Sequence, residues 1–456
     1  MFFWHRNLAG QLYCQTRLQQ LPCTTVKTED YDILESPALF HKRLLELIAA
    51  ARHRILMTVL YLQDDECGRE VLDALYKAKE RNPQLYVRIY VDFHRAQRGL
   101  IGKGPSLGNS ELYYSKAKGC DNPPCIYGVP VKRRELFGVM HLKGCVFDNT
   151  VLYSGASVND VYLGYNGRYR LDRYHEIRSP ELADSMCSFV TSAFHSNYAV
   201  QDFSQGPVKP AKQMREEIRQ LRRHLTEVQY TIKSSHIRRS EVGITPLSGL
   251  GKRRNLLNRA ILWLIGAAKS HLFVCTPYFN PPKPVLAALA GALASGVKVT
   301  LLAGDKTAND FFIKPGEKFS AVGVVPYIYE QNLRNFIMRN DAYVKSGQLE
   351  IMLWKDGDNT FHVKGMFVDQ NYALITGNNL NPRAWALDLE NGLIISDPGH
   401  VMQDKFIHEQ LYLLRHTTQI TDASQLESLD DYPEEVQKIL SRVKLLKASI
   451  FIRHLL

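Results

Sequence analysis

One order of elements, met twice in the same chain, limits this protein to a duplicated α/β arrangement. A helical pattern over 40–51 is followed by an apolar strand at 55–62, a helix at 68–81 and a strand at 87–92. The second half repeats it: helix 256–268, strand 272–276, helix 284–295, strand 297–302. Strands that alternate with helices predict layered α/β domains. Each series then ends in the same short pattern. His141-Leu142-Lys143-Gly144-Cys145-Val146-Phe147-Asp148 reads H-x-K-x-x-x-x-D, and His362-Val363-Lys364-Gly365-Met366-Phe367-Val368-Asp369 repeats it. Both copies run through an apolar strand to a glycine and an asparagine, Gly155 with Asn159 and Gly377 with Asn381.

Alternation along a strand puts residues i and i+2 on one face, so His141 and Lys143 point together, as do His362 and Lys364. One such pair occurs by chance on any polar face; two, each with its matching strand, glycine and asparagine, do not. Two lysines and two asparagines supply cation and donors for the oxygens of a phosphate whose charge grows on attack. One imidazole can attack phosphorus while a second moves protons. That chemistry requires no metal. Asp148 and Asp369 precede turn sequences, where aspartate is favoured for local hydrogen bonding, so they either hold turns or join the chemistry.

At 456 residues the chain holds two full domains, and its net charge of +11 points to a polyanionic partner. No apolar run reaches the length of a membrane span, and residues 1–6 carry no signal-peptide pattern. The eight cysteines lack a second pair at zinc spacing, which disfavours a metal site and fits a reduced, cytoplasmic setting. The boundaries drawn are a first domain at 1–205, a basic connector at 206–241, a second domain at 242–430 and a tail at 431–456. In the connector Met214, Ile218, Leu221, Leu225 and Val228 recur at helical spacing. In the tail Val436, Ile439, Leu440, Val443, Leu446 and Ile450 form one stripe flanked by Lys438, Arg442, Lys444, Lys447 and Arg453. Such a helix suits an anionic membrane surface, or packs on the domain.

These motifs resemble the phospholipase D superfamily over nearly the whole chain, and residues 151–160, 276–280, 304–310 and 376–385 narrow the likeness to its bacterial lipid-transferring members. The resemblance implies two phospholipase D-like domains related by a pseudo-twofold. Each would be a mixed sheet flanked by helices, with the active site at their interface. It implies transfer of the phosphatidyl group of CDP-diacylglycerol to L-serine with release of CMP, peripherally at the inner face of the cell membrane, without cofactor or metal. By the same likeness His141 attacks phosphorus to form a phosphatidyl-histidine and His362 serves as general base. Lys143, Lys364, Asn159 and Asn381 hold the phosphoryl oxygens, and Asp148 and Asp369 complete the catalytic set. Glu390 matches a carboxylate that fixes an imidazole tautomer. In the first half Tyr174 falls where Glu390 stands, with Asp172 the candidate substitute.

Arg95 and Arg98 follow the strand ending at Asp92, where ligands gather in α/β folds, and are candidates for the pyrophosphate; Asp305 and Lys306 hold a similar place. Arg383 is a candidate for the serine carboxylate. Gly249 to Arg253 superficially suggests a phosphate loop, but Pro246 replaces its first glycine and Arg253 its Ser/Thr, so that reading is rejected. The alternatives are another enzyme of this chemistry, a nuclease or a cardiolipin synthase, and a non-catalytic membrane binder, which two intact His/Lys pairs disfavour. Nucleic acid is not the expected substrate.

Overall fold

The computed structural model describes residues 8–98, 108–195 and 197–445. Each half is built on the same six strands in the same spatial order. In the first these are Cys125–Val129, Tyr86–Asp92, Arg54–Thr58, Gly144–Phe147, Thr150–Ser154 and Tyr174–Arg178. In the second they are Leu349–Trp354, Lys298–Gly304, His271–Thr276, Gly365–Val368, Tyr372–Thr376 and Leu389–Ser396. In both, the first three are parallel and the rest antiparallel. Added edge strands bring the sheets to eight and nine strands. The predicted α/β class is what the structure shows.

The helices start where the sequence supplies caps. Ser36 Oγ accepts the Leu39 N–H at 3.2 Å to open Pro37–Ala50, and Asn255 Oδ1 accepts the Asn258 N–H at 2.9 Å to open its counterpart, Leu256–Ala267. That second helix is apolar on nearly every face, so it needs cover on its outer side as well. The cover comes from the far end of the chain. Helix Leu8–Gln19 lays Cys14 and Leu18 against Leu257, Ile261 and Leu264, while Gln11 Nε2 donates to the Ala268 carbonyl at 2.8 Å. Strand Thr24–Lys27 then pairs antiparallel with Glu241–Leu250 and closes an otherwise open edge of the second sheet. Residues 8–27 therefore lie on the second half, although the sequence division grouped them with the first.

The connector contains helix Arg215–Leu225, with Met214, Ile218, Leu221 and Leu225 buried as their spacing predicted. Beyond it Tyr230 stacks on Phe189 at 4.0 Å. Gly249 and Leu250 sit inside a strand, not a phosphate-binding turn. In the tail, helix Glu434–Leu445 buries Val436 and Leu440 against Val324, Tyr327 and Tyr432, contacts worth about 1.5–3 kcal/mol for each side chain fully buried. Its first turns thus pack on the domain. The remaining tail positions, including Leu446, Lys447, Ile450 and Arg453, and the opening residues 1–6 lie outside the described residues.

Candidate active site

The two H-x-K segments do not continue their strands, as simple alternation would have it. Strands Gly144–Phe147 and Gly365–Val368 begin one residue after the lysines, and between lysine and strand the backbone turns at Gly144 (φ 107°) and Gly365 (φ 124°). Those values suit glycine alone. A Cβ at Gly365 would also meet the Leu374 carbonyl oxygen at 2.2 Å. The kink carries each H-x-K segment out of its own sheet and across to the other half. There the His141 N–H donates to the Leu389 carbonyl at 2.9 Å, and the His362 N–H to the Leu171 carbonyl at 2.9 Å. The exchange is reciprocal, so each half supports the other's histidine.

This pairing fixes the equivalence of the carboxylates. Leu389 and Leu171 occupy matching positions, so Glu390 corresponds to Asp172 and not to Tyr174. The strand ladders agree, because Thr376 faces Gly392 where Ser154 faces Tyr174. The gap from asparagine to carboxylate is longer in the first half, where the one-turn segment Tyr165–Gly167 is inserted. Glu390 places both oxygens 3.0 Å from His141 Nδ1, and Asp172 Oδ2 lies 3.3 Å from His362 Nδ1. A carboxylate at Nδ1 leaves Nε2 to face a substrate. Asp172, named from the sequence only as a candidate substitute, stands in the position that matches Glu390.

Asp148 and Asp369 are corrected in the other direction. Each follows the far end of its strand, about 16 Å along an extended chain from the lysine. Asp148 accepts the N–H groups of Arg52, His53 and Arg54 at 2.8–2.9 Å, and Asp369 those of Lys269, Ser270 and His271 at the same distances. Each clamps the turn from helix to first core strand, with its own φ at 50°. They build the domain and do not reach the chemistry.

The centre is buried and cationic. His141, Lys143, His362 and Lys364 are all buried, at 7, 1, 6 and 1% exposure. Burial, then the neighbouring charge of Lys364, brings the Lys143 ammonium down to about 7. Burial and Lys364 likewise take His362 down to about 3, and burial with both lysines holds His141 well below the usual imidazole range. Both imidazoles are therefore neutral near pH 7, the state a nucleophile or a base needs. The two carboxylates differ. Burial pushes Glu390 well up, whereas at Asp172 the same burial is overcome by Lys364, 2.7 Å away, and by His362, so that carboxyl stays ionised. An incoming phosphate diester would supply the anion that this excess of cations lacks.

Glycines let the two halves approach this closely. A Cβ on Gly155 would stand 2.7 Å from both Asp172 oxygens and from Lys364 Nζ; one on Gly377 would stand 2.7 Å from Lys143 Cγ. Asn391, missed in the sequence, holds the Lys143 backbone at both ends: its Oδ1 accepts the Lys143 N–H at 2.8 Å and its Nδ2 donates to the Lys143 carbonyl at 2.9 Å. Lys143 Nζ donates to Ser157 Oγ at 3.1 Å. Asn159 and Asn381 cap short helices through Oδ1, at 2.9 Å to Tyr162 and Ala384, so a donor from either to a phosphoryl oxygen would be its –NH2. Around His362 stand Tyr162, whose hydroxyl is 2.9 Å from Nδ1, and Tyr278, ring to ring at 5.9 Å.

The arginines are less available than their positions suggested. Arg98 grips Glu135 with two contacts of 2.5 and 2.7 Å, and Arg95 lies over the Tyr61 ring at 4.9 Å with Glu135 at 3.7 Å. Arg383 donates to the carbonyls of Glu135 and Leu136 and pairs with Asp388 at 3.0 Å. It buttresses the loop leading into His141 instead of standing open to a ligand. Lys306 is held by Glu330 at 2.9 Å, and by Glu427.

The model of the family described as cardiolipin synthase, PLD-like domain, matches residues 44–187 and 261–410, one segment in each half. The chain belongs to the phospholipase D-like family. It is 42% identical over 446 residues to the CDP-diacylglycerol–serine O-phosphatidyltransferase of Haemophilus influenzae, covering 97% of this chain and 98% of that one. The enzyme of the same name from Escherichia coli is also 42% identical, over 445 residues, with the same coverage. The crystal structure of phosphatidylserine synthase from H. influenzae superposes with a TM-score of 0.95 at 41% identity, covering 98% of this chain and all of that one. Within this phospholipase D-like frame the duplicated motif supplies histidines and lysines, and each half takes its carboxylate from the other.

Proposed function

We propose that this protein transfers the phosphatidyl group of CDP-diacylglycerol to L-serine, giving phosphatidylserine and CMP. One observation carries the chemistry: two neutral imidazoles, each with a carboxylate from the opposite half at Nδ1, converge on one buried cationic centre. The whole-length relatives named for this reaction support the choice of donor and acceptor. His141 Nε2 attacks the lipid-bearing phosphorus and CMP leaves, forming a phosphatidyl-histidine. Serine then attacks the same phosphorus while His362 takes its hydroxyl proton. Lys143 and Lys364 hold the phosphoryl oxygens through both steps, and Asn159 and Asn381 assist through their –NH2 groups. The enzyme meets its lipid peripherally at the cytoplasmic face of the membrane. A net charge of +11 supports that reading, and no helix among the described residues is long and apolar enough to cross a membrane.

The test supplies CDP-diacylglycerol in mixed micelles with and without serine and follows CMP and phosphatidylserine. Serine-dependent product is expected, together with exchange of labelled CMP into CDP-diacylglycerol when serine is absent. Loss of that exchange in an enzyme that still makes product would remove the covalent intermediate.

A further inference from the structure

Beside His362, and outside the duplicated motif, an arginine of the first half meets an aspartate of the second in a loose pair. Arg170 lies over the Tyr162 ring at 4.9 Å, and Asp310 accepts the Tyr278 hydroxyl at 2.5 Å; these are the two tyrosines that flank His362. Arg170 and Asp310 touch through a single contact of 3.5 Å, with side chains 14 and 23% exposed. A structural strut in the same molecule looks different. Arg173 and Glu409 close two contacts of 2.7 and 2.8 Å at 2 and 4% exposure, tying the two halves together. Arg170 spends one further donor, Nε, on Thr360 Oγ1 at 3.0 Å. A guanidinium carries five N–H donors, so these two contacts leave donors over.

A loosely joined, partly exposed cation and anion, each touching a tyrosine that flanks a base, match one class of ligand: a zwitterion whose own charges are a bond or two apart. We propose that Arg170 and Asp310 form the acceptor subsite, the guanidinium taking the α-carboxylate of serine and the carboxylate its α-ammonium. This rests on the transferase reading above. Held at both ends, serine presents its remaining arm, the hydroxymethyl, toward His362. The Oγ–H bond breaks as the proton passes to His362 Nε2, the Oγ–P bond forms, and the P–Nε2 bond to His141 breaks with its electron pair returning to the imidazole. In the preceding half-reaction the same place belongs to the departing phosphate of CMP, and Arg170 suits that anion too. Asp310 does not, so it carries the discrimination. The Arg170 charge, with the Tyr278 hydroxyl, holds its carboxyl below the ordinary carboxylate range despite burial.

The experiment compares three acceptors with a fixed CDP-diacylglycerol supply: serine, 3-hydroxypropionate, which lacks the ammonium, and ethanolamine, which lacks the carboxylate. Wild type is expected to prefer serine over both. Asp310→Asn should raise the serine KM about 10- to 150-fold, the worth of a charge-assisted hydrogen bond, and collapse the preference for serine over 3-hydroxypropionate. Arg170→Gln should do the converse and collapse the preference over ethanolamine, while Asp310→Glu and Arg170→Lys keep part of the preference each residue provides. Because the readout is a ratio of acceptors, a general loss of active enzyme cancels. Unchanged ratios in Asp310→Asn and Arg170→Gln overturn the subsite; absence of serine product in wild type overturns the transferase reading itself.

Discussion

Gly377→Ala isolates the close approach on which the site depends. At ordinary van der Waals distance two carbons stand about 3.5–4.0 Å apart. The new Cβ would begin 2.7 Å from Lys143 Cγ and 3.2 Å from Cε, with His141 Nδ1 at 3.5 Å. Lys143 must therefore retreat by about 1 Å. It cannot do so along its backbone, since Asn391 holds its N–H and its carbonyl together. The ammonium moves instead, and a misplacement of about 1 Å at a reacting group costs on the order of 10²-fold in rate. Overpacking a buried contact costs about 1–3 kcal/mol, a fall in Tm of a few degrees at most for a chain of this size. Gly377 is not at positive φ, so backbone strain does not confuse the reading. The assay is initial-rate CMP exchange beside a thermal melt. A variant that stays folded and retains more than half the wild-type exchange rate would refute the claim that Lys143 must sit where it does.

Two further outcomes follow from the geometry. Asp148→Ala should lower the melting temperature while leaving kcat of the folded fraction close to wild type, because three backbone N–H groups lose their acceptor far from phosphorus; a selective loss of kcat with unchanged melting would return this aspartate to the chemistry. His362, with a folded value of about 3 against an ordinary 6.5, binds fewer protons in the folded chain than in the unfolded chain across that interval. Stability from this group is then lost as pH falls from about 6.5 towards 3. His362→Gln should flatten the decline in denaturation midpoint between pH 7.5 and 4.5, and parallel curves would contradict the buried neutral state.

The duplication and the H-x-K pairs were legible because each is a local pattern with a local cause; Glu390 came from the family resemblance, and the capping by Asn159 and Asn381 went unread. The equivalence of Asp172 with Glu390 was not. A one-turn insertion at Tyr165–Gly167 lengthens the gap, and matching the two stretches by residue type alone put Tyr174 in Asp172's place. The glycines that follow both lysines, Gly144 and Gly365, were the unread signal that the motif bends out of its sheet. The crossing of residues 8–27 to the second half has no periodic signature, since a short strand reads the same whichever sheet accepts it. Arg95 and Arg98 looked open in sequence because Glu135 is far from both in the chain, and Arg383 because the Glu135 and Leu136 carbonyls it meets are 248 and 247 positions away.

The reciprocal loan of carboxylates also sets a clock on activity. His141 and the glutamate that orients it are 249 positions apart. A nascent chain therefore contains His141 long before the carboxylate that bonds its Nδ1 has been made. Until strand Leu389–Ser396 is laid down, the first half carries an imidazole without the carboxylate that the folded protein sets beside it.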